Sequence, residues 1–512
     1  MNYLPETYSE LRVAVYTKDG RTYPGKALVT MELRPGYDRA KAHMIGHMLT
    51  INEAHLIMLI EQEIVSLEDG LTILKALLAI DYDEYRTHQY TGQFEDLFFE
   101  LEDEIIRRSK GLGGNLHLAR SRNDMCLALA RMVVRTDFLQ LIEKLSELQN
   151  TIALFAKEHA NTLYVVHTHT QHAQPGLLGH YFLGVVDMID RDLARMHLSY
   201  QSINRSPMGA AAITTTGFPI SRERVAELSG FRGFIENSFD AIGNCDFFTE
   251  TASSISLCAL NLGRVVTDLV TWATEELDMI RVADGYISTS SIMPQKRNPI
   301  ALEHLRSSLS IVKGLADTVS LAFMKSPYGD ISDYEDVEEH MARSISLLIS
   351  NLELLNSVMA TLEVNTELLE KRAQESFSVV TEMADTLYRE YGVSFRQAHH
   401  LVSVLVKKAD ALGITVLNIK RPLFAETFEE VIGRTFTQDF TPIQESLDPL
   451  HFVCIRDVVG GTGPQAMKAM VVRSKEKIKS NLAWIADETN YLQESDALRL
   501  EIISKLMKTS KE

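Results

Sequence analysis

The chain has 512 residues, 45% hydrophobic and 23% charged, a globular balance with enough apolar material for a large core. A formal net charge of −18 excludes a broad nucleic-acid-binding surface, since neutralising phosphates needs concentrated Lys and Arg, and an acidic protein that handles anions must gather its cations locally. Cys126, Cys245, Cys258 and Cys454 are far apart without CxxC or zinc-ligand spacing, and neither a leader pattern in MNYLPETYSE nor an apolar run of spanning length is present, so a cytoplasmic protein with reduced thiols is expected.

Residues 1–35 are the least helix-like part. Leu11 to Tyr16 partly alternate, Lys18-Asp19-Gly20 is a turn signal and Ala27 to Leu33 is a second β-prone run, so a small N-terminal β-hairpin is expected. From Asp38 the pattern becomes helical. Ala54 to Leu77 has the apolar spacing of two short helices, with Ser66 capping the second and Asp69 in the capping-box position. Gly111 to Asp124 (GLGGNLHLARSRND) is a glycine-rich turn that runs into a polar cluster and then a long helix. No strand precedes it and no GxGxxG is present, which argues against a dinucleotide loop. Beyond it Val134, Phe138, Leu141, Leu145, Leu148, Ile152 and Phe155 form a bundle seam at alternating spacings of four and three.

A second polar break, HTHTQHAQPG (His167 to Gly176), precedes another helical run to about Asn204. Ser206 to Glu223 is a small-residue connection, and the proline-free interval before Pro294 fits one very long helix from about Asp246 to Ile280. The stretch STSSIMPQKRNP (Ser288 to Pro299) has neither helical nor strand periodicity and reads as a functional loop between helices. A helix from Pro299 to about Phe323 follows; the proline-free run from Tyr328 to Arg421 is helical, with a smaller helical domain from near Ser376. The expected fold class is all-α, divided into an N-terminal domain (1–120), a central long-helix bundle (121–372) and a C-terminal helical domain (373–512).

Three polar groups carry chemistry. Ser121, Arg122 and Asn123 at a helix start make either an anion-binding fork, because Arg grips carboxylates bidentately beside free N–H groups, or a capped helix with a solvated arginine. Thr168, His169 and Gln171 set an imidazole beside hydroxyl and amide groups, a plausible proton donor near neutral pH; His167 and His172 raise a metal alternative, which the lack of nearby carboxylates disfavours. The loop brings Ser290 and Ser291 together with Lys296 and Asn298.

These stretches carry a family resemblance. SSIMPQKRNP is similar to the GSSxMPxKxN loop of the fumarase/aspartase superfamily, with Thr289 in place of the glycine, and MPQKRNP resembles the version in argininosuccinate lyases. HLARSRND resembles HTGRSRNDQ, THTQHAQP resembles THLQxAQP, and SPMGAAAITTTGFPISRE resembles SPLGxGAxAGxxFPIDR; the likeness runs roughly from Asp38 to Gly463. The resemblance implies a three-domain all-α fold whose central bundle forms the core of a homotetramer, with each active site drawn from three subunits. It implies β-elimination from an N-substituted aspartate with release of fumarate, without metal or organic cofactor. It further implies that Ser290 is the base, that Lys296 and Asn298 hold the carboxylate that becomes dianionic, and that His169 or Thr168 protonates the leaving nitrogen, with Glu303 pairing the histidine. Ser121, Arg122 and Asn123 would hold carboxylates, and Gln171, Ser291, Met293, Gln295 and Tyr328 would line the substrate.

Departures fall on the leaving-group side. SPYGDISDYED (Ser326 to Asp336) stands where those lyases carry a YNRDLQED-like segment, and Phe98 stands where the histidine of EDxH is usual. The substrate expected is argininosuccinate, in arginine biosynthesis, with another N-substituted aspartate as the alternative. A non-catalytic helical scaffold, like the lens crystallins of this superfamily, is a third reading that the presence of Ser290, His169 and Lys296 argues against.

Overall fold

The computed structural model describes residues 7–509. The expected N-terminal hairpin is replaced by helix over the described residues. Helix α1 (Tyr8–Asp19) starts on a capping box in which Thr7 Oγ1 accepts the Glu10 N–H at 3.2 Å and Glu10 Oε2 accepts the Thr7 N–H at 3.1 Å. Leu11 to Tyr16 lie inside it, and Ala27 to Leu33 are also helical. The strand propensity of valine and tyrosine depends on a sheet to pack against, whereas the box satisfies orphan N–H groups locally. Of the expected hairpin only the turn remains: Gly20, at φ 106°, ends α1 in a conformation that a side chain would resist.

Helices α2 (Ile45–Glu61) and α3 (Leu67–Leu78) form as the spacing predicts, and Ser66 Oγ accepts the Asp69 N–H at 3.1 Å. Helix α4 (Leu97–Arg108) is capped by Asp96, whose carboxylate accepts the Phe99 N–H at 2.9 Å. Ile51, Leu56, Leu74 and Leu101 share one apolar cluster with Met125 and Leu129 from the start of α5 (Arg122–Glu158).

The second, larger cluster is the bundle. Helix α5 packs against α6 (Leu178–Ile203) and α9 (Asp333–Ala360), and α7 (Asp246–Trp272) packs against α6 and α8 (Ile300–Ala322). Every residue of the expected seam from Val134 to Phe155 is buried. The long helix ends at Trp272 rather than near Ile280, because Asp278 turns the chain at φ 44° and Ile280–Arg281 then pairs with Glu363–Val364. By length and composition α7 could cross a membrane, yet Phe247, Phe248, Ile255, Leu262 and Val266 are packed into the bundle core.

The polar break between α5 and α6 forms a hairpin. Strands β1 (Leu163–Thr168) and β2 (Gln171–Leu177) pair antiparallel, with a register shift between Val166 and His167. Beyond the bundle, α10 (Val380–Tyr391) and α11 (Phe395–Ala411) lead through shorter helices to α12 (Pro464–Thr509), a 46-residue helix along α5 and α6. Its far end reaches the N-terminal lobe, where Arg499 Nε donates to Glu53 Oε2 at 2.9 Å with both side chains buried.

Candidate active site

The serine loop is held at its base by two short strands, β3 (Ser288–Thr289) and β4 (Arg297–Asn298), which pair Ser288 with Asn298 and Thr289 with Arg297. Asn298 Nδ2 donates to Ser288 Oγ at 3.4 Å, and Arg297 ties β4 down through Val282 O at 3.2 Å and Asp284 at 2.5 Å. Between the strands the chain turns on Ser290. Its Oγ accepts the N–H of Ile292 at 3.3 Å and of Met293 at 3.1 Å. Donors aimed at a hydroxyl oxygen stabilise the alkoxide more than the alcohol, so this geometry favours deprotonation of Ser290. Ser291, Gln295 and Lys296 are exposed on the same loop, as is Met293, and the Lys296 N–H donates to Met293 O at 3.0 Å. Glu303 is exposed one turn into α8.

Ser121 is the N-cap of α5, in a capping box with Asp124. Asn123 Nδ2 donates to Ala212 O at 3.0 Å, which fixes that amide against the small-residue connection. Arg122 is not a free fork: its Nη1 donates to Glu95 Oε1 at 3.1 Å and Asp96 Oδ2 at 3.0 Å, and its guanidinium lies 4.7 Å from the Phe99 ring centroid. Burial disfavours its charge, but the hydrogen bonds and charges of Glu95 and Asp96 outweigh that and hold it above the ordinary arginine range. A substrate carboxylate at this point must share the guanidinium with two protein carboxylates.

Thr168, His169 and Gln171 lie at the exposed tip of the β1–β2 hairpin. The turn places His169 at φ 50° and Thr170 at φ 61°, where a two-residue hairpin turn favours glycine or asparagine. Strained backbone of this kind collects at functional sites. The hairpin is fixed to the C-terminal part of the chain by Gln174 Nε2 to Thr381 Oγ1 at 3.2 Å, and His172 Nδ1 lies 3.4 Å from Ser376 Oγ.

Tyr328 donates its hydroxyl to Asp240 Oδ1 at 2.7 Å and lies 5.3 Å, ring to ring, from Phe239. That bond is the main reason its phenol is pushed up to about 12, with burial adding to it.

The structure joins the Ser121 cluster to the connection after α6. Among the described residues no hydrogen bond or ion pair joins it to the His169 turn or the Ser290 loop, and none joins His169 to Glu303. Two residues of the HLARSRND motif that sequence reading gave no role support the first cluster. One is Asp124, fully buried beneath Ser121. The other is Arg120, whose Nη1 donates to Asn52 Oδ1 at 2.7 Å and whose charge burial disfavours, lowering it to about 10 against the pull of Asp124 and Glu102. The aspartate three residues after Ser121 was the available signal, since that spacing marks a capping box.

Residues 80–314 match the family described as Lyase, and residues 377–453 match Argininosuccinate lyase C-terminal. An argininosuccinate lyase of Methanococcus maripaludis is 34% identical over 428 residues, covering 83% of this chain and 88% of that protein. Argininosuccinate lyase 2 of Agrobacterium fabrum is 35% identical over 476 residues, covering 92% and 94%. Among solved structures, EDDS lyase in complex with formate superimposes with a TM-score of 0.84 at 28% identity, over 92% of this chain and 93% of that one. With this similarity spanning most of the compared chains, the chain belongs to the argininosuccinate lyase family of the fumarase/aspartase superfamily and is a carbon–nitrogen lyase.

Proposed function

We propose that this protein cleaves argininosuccinate to arginine and fumarate by β-elimination, in the cytoplasm and in the service of arginine biosynthesis. The observation that carries the chemistry is the pair of N–H groups on Ser290 Oγ. Ser290, as the alkoxide, removes the proton from the carbon next to a carboxylate, and Lys296 and Asn298 hold the negative charge that develops there. The C–N electron pair leaves with nitrogen, which takes a proton from His169 or Thr168, and fumarate departs. Glu303 orients the imidazole and stabilises its cation. Ser121, Arg122 and Asn123 hold carboxylate, and Gln171, Ser291, Met293, Gln295 and Tyr328 complete the pocket.

Three residue groups not joined within one chain need neighbours. The protein assembles as a homotetramer in which each site takes one group from each of three subunits. Support comes from apolar side chains on the bundle helices that one chain leaves uncovered: Leu154, Leu198, Leu257, Leu260, Ile311 and Leu321 are all exposed. We assign residues 1–120, 121–372 and 373–512 to N-terminal, central and C-terminal domains.

A second reading is favoured by the structural likeness to EDDS lyase and by the changed leaving-group side, Phe98 and Ser326 to Asp336: the same elimination on a different N-substituted aspartate. Fumarate release followed by ultraviolet absorbance decides between them. Argininosuccinate should give fumarate with the wild type and not with Ser290→Ala; no release from argininosuccinate, with release from another N-substituted aspartate, establishes the second reading. No release from any of them leaves a non-catalytic scaffold.

A further inference from the structure

Asp124 is a carboxylate with no exposed surface, set one residue past the Ser121–Asn123 group. Its Oδ1 accepts the Ser121 N–H at 2.9 Å; its Oδ2 accepts the N–H of Gly209 at 2.9 Å and of Ala211 at 2.9 Å. One side chain therefore stitches the start of α5 to a segment about 85 residues away in sequence, and Asn123 Nδ2 adds a fourth bond to Ala212 O. The segment so held is strained. Ala211 sits at φ 51°, in the left-handed region, and Thr215 just beyond the segment sits at φ 64°; side chains of this kind hold such a conformation only where surrounding contacts impose it. A Cβ at Gly209, itself at φ 81°, would stand 2.7 Å from Arg222 Cγ, so a side chain there would be strained and would push Arg222 aside. Where the chain enters the segment it is also fastened by Arg222, whose Nε donates to Met208 O at 2.9 Å and whose Nη1 donates to Glu236 O at 3.0 Å.

A helix cap alone needs only Ser121 and one oxygen of Asp124. The second oxygen, spent on Gly209 and Ala211, does nothing for the helix; what it fixes is the position of the strained segment beside Ser121, Arg122 and Asn123. We infer that Asp124 is a positioning residue of the substrate-carboxylate pocket: it holds the Gly209–Ala212 segment across the start of α5 and so sets where Ser121 and Asn123 meet the substrate. The inference rests on the function proposed above.

The test is fumarate binding by calorimetry beside turnover, on the full-length protein. Asp124→Asn keeps the shape but sets an NH2 group against N–H donors. We expect it to weaken fumarate binding and raise KM by roughly tenfold or more, with a smaller fall in kcat, as loss of binding shared by ground and transition states does. Arg222→Gln leaves Asp124 intact and loosens the same segment at its entry, Met208, so it serves where Asp124→Asn does not fold, and it should raise KM severalfold. A purely structural role would lower the melting temperature of both variants and leave fumarate affinity within twofold of wild type, and that result overturns the inference. A wild type that neither binds nor releases fumarate removes the proposed function, and the inference with it.

Discussion

The hydroxyl of Ser290 and the main-chain N–H of Met293 stand 3.1 Å apart, with the oxygen as acceptor, where the serine loop turns between its two short strands. A donor placed there loses nothing on deprotonation of the alcohol and gains a charge-assisted bond. Met293→Pro, which deletes this N–H, should lower kcat for fumarate release by about 10²-fold, while Met293→Leu, which keeps it, should stay within a few-fold of wild type in kcat. Steady-state kinetics on the two variants check this; equal kcat would show that the backbone donor is idle.

The turn at the hairpin tip makes a prediction of opposite sign for stability and activity. Thr170 is β-branched and sits at φ 61°, so Thr170→Gly should raise stability by about 1 kcal/mol. The same change frees the turn that positions His169, so kcat should fall. Denaturant melts and turnover measured side by side would show whether strain is exchanged for placement here.

Burial pushes the Asp124 carboxyl up to about 6, against the pull of the N–H groups of Ser121, Ala211 and Gly209 and the charge of Arg120. A carboxyl raised above its unfolded value of 3.8 contributes stability that is full below that value and lost as pH rises through about 6. Between pH 4 and 6 the wild type should therefore lose stability relative to Asp124→Asn as pH rises. Fumarate binding should run the other way, weakening as acid protonates the acceptor of three N–H groups. Melting curves of both proteins across this window, with fumarate titrations on the wild type, provide the check.

Arg499 on α12 and Glu53 on α2 are a buried pair, 7% and 4% exposed. Arg499→Met leaves a carboxylate stranded and should cost about 3–5 kcal/mol. Adding Glu53→Gln should recover a large part of that loss, because the stranded charge goes with it. Chemical denaturation of the single and double variants measures the coupling.

Much of this molecule was legible along the chain. The seam from Val134 to Phe155, the helices flanking Ser66 and the loop from Ser288 to Asn298 follow from local periodicity, capping chemistry and turn residues, all of which act over a few neighbours. Where the local signals conflicted, the reading failed: the alternation of Leu11 to Tyr16 suggested a strand, but the Thr7–Glu10 box made a helix. The histidine-rich stretch read only as a polar break, and its pairing as a hairpin, Val165 with Pro175, appears only in the structure.

The residue types of the chemistry, a serine with lysine and asparagine in one loop and a histidine in another, were determined by the sequence alone, because reactivity belongs to the side chain. The tertiary structure decided what each group faces. It placed two N–H donors on Ser290, turned Arg122 onto Glu95 and Asp96, and buried Asp124 under a segment about 85 residues distant in sequence. Contacts of that range have no periodicity to betray them: they arise only when packing brings remote backbone N–H groups to a carboxylate from which water has been removed.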